Sequence, residues 1–125
     1  MSLAWMIYFE QGPDSLQPLV DALTRHKLAV KASSPTAVQV SDGHGTVQIT
    51  YNDAAFVAEE AREMLAQAPH PDAQQIARCS RRIELTWSEE DAFEATNLLG
   101  FIEPAVRKLT TQCWVFDATE DGAWL

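Results

Sequence analysis

Cysteine, glycine and positive charge are all scarce in this chain. Two cysteines, Cys79 and Cys113, in 125 residues are too few for a disulfide framework, and their spacing fits no zinc motif. Nine Lys and Arg stand against eighteen Asp and Glu, a net charge of -9. That balance argues against a general nucleic-acid binder, which needs clustered cations, and against an anionic membrane surface. No apolar run approaches the ~20 residues of a membrane span; the longest near the start is Ala4 to Phe9. The first ten residues have neither a basic n-region nor a small-residue cleavage site, so no signal peptide is expected. A cytoplasmic location with both thiols reduced is the expectation. Five glycines and six prolines form no linker, repeat or low-complexity tract, which leaves one domain over residues 1–125.

What is present suits a folded chain. The hydrophobic fraction is 46% and the charged fraction 22%, close to globular averages. A chain this long buries roughly two-thirds of its unfolded surface, enough for a core without metal or disulfide staples.

Hydrophobic spacing gives the elements. Ala4–Phe9 reads as a buried strand. Asp14 or Ser15 can cap a helix with Leu16, Leu19, Val20 and Leu23 at i, i+3, i+4 and i+7, closed by Arg25, His26 and Lys27. Residues 28–31 can begin a strand before Ser33-Ser34-Pro35. Val38 and Val40, then Val47, Ile49 and Tyr51, alternate around Asp42-Gly43-His44-Gly45 and predict a hairpin. Asn52 or Asp53 precedes a helix to about Ala68 with Val57, Ala61, Met64, Leu65 and Ala68 on one face. Pro69-His70-Pro71 stops it, and Asp72 can start a short turn through Ile76. In Arg81–Trp87, Ile83, Leu85 and Trp87 alternate with Arg82, Glu84 and Thr86, one face wet. Ser88 then starts a helix carrying Ala95, Leu99, Ile102, Val106 and Leu109, which Gly100 and Pro104 are expected to bend or divide. Cys113–Phe116 closes the order β-α-β-β-α-β-α-β. The expected class is α+β: an antiparallel or mixed sheet of about five strands with helices packed on one face.

No constellation of residues announces chemistry. Cys79 lies between Arg78 and the pair Arg81-Arg82, which would lower a thiol pKa, yet a lone cysteine beside a strand is more often a small core residue. Asp42 and His44 are neighbours in a turn, too few ligands for a metal. Gly43-His44-Gly45 joins two strands, whereas phosphate cradles run into a helix. Arg78, Arg81 and Arg82, the only basic cluster, can bind an anionic ligand or pair with nearby acids. Glu89, Glu90, Asp91 and Glu94 crowd one helix start, and Glu120 and Asp121 add charge near the end. Residues 63–125 hold eleven acids against five bases, residues 1–62 seven against four, so the second half is the more acidic. Trp124 in that acidic tail can anchor an interface or pack back onto the domain.

The run Arg78-Cys79-Ser80-Arg81-Arg82-Ile83-Glu84-Leu85-Thr86-Trp87, the acidic helix start, Asn97, Leu109-Thr110 and the closing Trp114-Val115-Phe116-Asp117 resemble small acidic bacterial immunity-type proteins over residues 76–125. Those proteins bind and neutralise a cognate toxin. The resemblance implies a binding surface and carries over no active site.

The resulting expectation is a non-enzymatic module, with no cofactor or metal, that binds a basic protein partner. Glu89, Glu90, Asp91, Glu94, Glu120, Asp121 and Trp124 are its candidate contact residues. Two other readings compete with it. One is a small-molecule-binding or regulatory domain, dimeric in one form, with Arg78, Arg81 and Arg82 reading an anionic ligand. The other is an enzyme using Cys79 or a carboxylate pair.

Overall fold

In the computed structural model, which describes residues 2–119 and 122–125, the first strand of the chain lies inside the sheet. β1 (Ser2–Phe9) sits between β5 (Arg81–Ser88) and β6 (Cys113–Asp117). The order is completed by β2 (Ala29–Ser34), β3 (Ala37–Ser41), β4 (Thr46–Asn52) and β7 (Ala123–Trp124), giving β2-β3-β4-β5-β1-β6-β7. Every neighbouring pair is antiparallel. The class is α+β, as the patterning implies.

Topology explains where the helices lie. Strands β1 and β2 point the same way, and so do β5 and β6, so α1 (Gln17–Arg25) and α4 (Ala92–Leu109) are crossover connections. The two crossovers start from strands of opposite direction and move to opposite sides. A single handedness therefore places both helices on the same face of the sheet. The β4–β5 connection joins antiparallel neighbours and escapes that rule. It carries α2 (Phe56–Gln67) and α3 (Ala73–Ile76), which pack on the other face.

Strand alternation feeds both layers. Ile7, Phe9, Val40, Val47, Ile49, Ile83, Leu85 and Val115 meet Leu19 and Leu23 of α1 and Leu98, Ile102 and Val106 of α4. Tyr8, Trp114 and Phe116 point the opposite way, onto Val57, Ala61 and Ile76. A strand buried on both faces reads as a continuous apolar run, which is why Ala4–Phe9 lacks alternation. Beyond α2 the second face is polar, with Lys31, Gln39, Gln48 and Thr50 paired along β2, β3 and β4.

Three expectations are corrected. The sheet has seven strands rather than about five, because β2 and the two-residue β7 also pair. The order gains those strands and α3. Helices cover both faces rather than one, since only α1 and α4 are bound by the crossover rule. Of the two outcomes expected at Gly100 and Pro104, a bend or a division, the division does not occur, since α4 runs on as one helix. Proline deprives the Gly100 carbonyl of its helical donor, but that carbonyl lies on an exposed stretch where water can replace the bond.

Candidate functional site

Each basic residue of the Arg78–Arg82 cluster has a partner in its own chain. Arg82 is only 5% exposed because α2 closes over what reads as the wet face of β5. Its Nε donates to Glu84 Oε2 at 2.6 Å, and Nη1 reaches Glu60 Oε1 at 2.7 Å and the Tyr8 hydroxyl at 3.0 Å. Asn52 Nδ2 donates to the same Glu84 oxygen at 3.1 Å, and the Phe56 ring lies 5.5 Å from the guanidinium carbon. Burial works against this charge, but Glu84, Tyr8 and Glu60 outweigh it and hold the Arg82 pKa above its ordinary value. Burial raises the Tyr8 pKa in turn, and its hydroxyl donates to Met64 Sδ at 3.0 Å. Hydrogen-bonded pairing with two carboxylates and a hydroxyl satisfies a charge that would otherwise be costly to bury.

Arg81 is a staple. Its Nη1 donates to the Pro13 carbonyl and to Asp14 Oδ1, both at 3.1 Å, its Nη2 reaches the Glu10 carbonyl, and it lies 4.9 Å from the centre of the Phe9 ring. These contacts hold the loop between β1 and α1 against β5. Arg78 is exposed and pairs with Glu10 at 3.6 Å. It borders a small cleft of about 180 Å³ with Gln11, Gln75 and Trp114. Neither Arg81 nor Arg82 lines that cleft.

Both thiols are buried. Burial, followed by the Glu10 carboxylate, pushes the Cys79 thiol up to about 12. Burial also raises Cys113. A nucleophilic cysteine requires the reverse shift. Asp42 is turned onto its own backbone: Oδ1 accepts from His44 N and Gly45 N at 2.9 Å each. Those donors, Gly45 first, hold its carboxyl below the usual range. Among the described residues, no three His, Cys, Asp or Glu side chains converge as metal ligands.

The acids at the start of α4 are disposed differently. Ser88 Oγ caps the 3₁₀ turn Glu89–Asp91 by accepting from Asp91 N at 3.2 Å, the capping that the Ser-x-x-Asp spacing predicts. Glu89, Glu90, Asp91 and Glu94 then cluster where the helix dipole favours negative charge. None of the four forms an ion pair among the described residues. Phe93 stands among them and is 87% exposed. The β3–β4 loop abuts this end of the helix so closely that a Cβ on Gly45 would lie 2.8 Å from that of Glu94.

Sequence reasoning missed Phe93, although a signal was present. At 100° per residue it lies roughly 160° from Ala95, opposite the stripe of Leu99, Ile102 and Val106. An aromatic on the wet side of an amphipathic helix has no core to fill.

The candidate contact residues do not form one group. Glu120 and Asp121 lie outside the described residues. Trp124 packs back onto the domain: its ring meets Phe116 at 4.9 Å and Tyr8 and His70 at 5.9 Å each, and its Nε1 donates to the Ala68 carbonyl at 2.7 Å. Gly122 makes that return possible. Its φ is +75°, and a Cβ there would meet the Phe116 ring at 2.7 Å.

Fold and site together describe an α+β protein with an antiparallel sheet between two helical layers. Compared with known proteins, the chain matches no protein family, no curated protein and no solved structure.

Proposed function

We propose that this protein is a binding module that docks onto a basic protein through the exposed start of α4 and performs no chemistry of its own. The observation that carries the reading is Phe93, 87% exposed among Glu89, Glu90 and Glu94, which have no cationic partner among the described residues. An exposed aromatic side chain supplies apolar surface to desolvate on docking, and neighbouring carboxylates steer a partner of opposite charge. A cation-rich cleft, of the kind that attracts polyanions, is the complementary surface. Occlusion of such a cleft agrees with the resemblance to immunity-type proteins, and a toxin or effector is the class of partner it implies.

Affinity capture from lysate of the source cells tests this reading. Wild-type protein should retain a basic protein at low ionic strength and release it at raised ionic strength. The triple variant Glu89→Lys, Glu90→Lys, Phe93→Ala should retain none of it while keeping the wild-type circular dichroism spectrum. Retention of the same protein by the triple variant, or no captured protein at either salt, would overturn the reading.

A further inference from the structure

Between α4 and the end of the sheet lies a cavity of about 490 Å³, a volume within the range of small-molecule sites. It is a different surface from the Phe93 patch. Trp5, Trp87, Leu99 and Val115 give it an apolar wall, and Glu103 and Asp117 are the charged side chains among the described residues that line it. No Lys, Arg or His among the described residues lines it. Trp5 and Trp87 meet edge to face with ring centres 6.0 Å apart. Asp117 stands opposite Trp5 in the β1–β6 ladder, so carboxylate and indole share one face of the sheet.

The two carboxylates are not equivalent. Glu103 is paired with Arg107 one turn along α4. The Oδ1 of Asp117 accepts from the Thr119 backbone N–H at 3.0 Å and from its hydroxyl at 2.6 Å. Its other oxygen has no hydrogen-bond partner among the described residues. Two indoles and an uncompensated carboxylate attract the same kind of group. An ammonium is drawn to the carboxylate by its charge and to aromatic faces by their quadrupole, while an anion is repelled by both.

We propose that this cavity binds a small organic cation, an amine or quaternary ammonium with an apolar or aromatic body, its charge at Asp117 and its body against Trp5, Trp87 and Leu99. The sign is opposite to that of the anionic ligand that the arginine cluster suggests.

The test uses three probes of closely matched size on the whole protein: benzylammonium, benzyl alcohol and benzoate, followed by tryptophan fluorescence and thermal shift. The cation should bind saturably and roughly tenfold more tightly than the neutral probe, with benzoate weakest. Asp117→Asn, which keeps an oxygen for Thr119, should bring the cation down to the affinity of the alcohol. Thr96→Trp, an exposed position on the α4 wall of the cavity, should abolish binding of both without changing net charge. That plug separates the cavity from general attraction of cations to an acidic protein. Equal affinity for cation and alcohol, or cation binding that survives the plug, would overturn the proposal. So would no saturable binding of any probe.

Discussion

Against one face of the sheet, α1 and α4 bury Leu19, Leu23, Leu98, Ile102 and Val106 with no buried ion pair among the described residues, and exposed Glu89 and Glu90 and half-exposed Glu94 have no ion-pair partner there either. Against the other, α2 and α3 close over a smaller apolar set and enclose Arg82 with Glu60, Glu84 and Tyr8. The difference teaches how to read charge in this chain. Under the second layer, Arg82, Glu60 and Glu84 are matched to one another inside the molecule. Glu89, Glu90 and Glu94 at the start of α4 have no ion-pair partner among the described residues.

The largest effect is expected in the first layer. Ile102→Ala removes a fully buried side chain and should cost about 2–5 kcal/mol in urea unfolding, nearly independent of salt. Arg82→Ala should cost about 2–4 kcal/mol, because it strands Glu60 and Glu84 beside each other under α2. Adding Glu84→Gln to that variant should recover part of the loss, since the stranded charge is then gone. If the second change makes matters worse, the two layers do not differ as described.

Alkaline titration sharpens the same contrast. Folded Cys79 is pushed up to about 12 from an ordinary 9.0, so the native state keeps a proton that the unfolded chain releases. The corresponding stability is fully present below pH 9 and is lost as pH rises towards 12. Raised Tyr8 and Cys113 act in the same direction. The urea midpoint should therefore fall between pH 8 and pH 11, and fall less in Cys79→Ala. An unchanged slope in that variant would mean that the thiol is not shielded by the second layer.

The smallest effect expected is a gain. Lys27 follows the end of α1 with φ +62°, a conformation that costs a residue bearing a Cβ. Lys27→Gly should stabilise the protein by about 0.5–1 kcal/mol, read as a rise in melting temperature.

The β3–β4 hairpin is legible in the sequence because one of its faces is buried and the other wet, so Val38, Val40, Val47, Ile49 and Tyr51 alternate. Strand β2 is legible only in its start at residues 28–31, because it is an edge strand whose only half-buried residue is Val30, and no alternation carries it on to Ser34. The second helical layer is hidden for a related reason. Val57 and Ala61 mark a buried face on α2, but nothing local says which side of the sheet receives it. Arg82 looks solvated in the alternation of β5. Its burial depends on Glu60, 22 positions away and on another element. The acidic start of α4 is readable because capping and dipole effects are local, and Trp124 is not, because its docking onto Tyr8, Phe116 and Ala68 is long-range.

The most direct measurement is the affinity of the salt-sensitive partner for wild-type protein and for Phe93→Ala, by calorimetry at low and at raised ionic strength. If the exposed ring is the anchor, its loss should weaken binding roughly 30-fold or more with the salt dependence unchanged. Glu89→Lys with Glu90→Lys should instead slow association and flatten the salt dependence. Binding by Phe93→Ala within about twofold of wild type, where a hot spot is lost by truncation, would contradict the account.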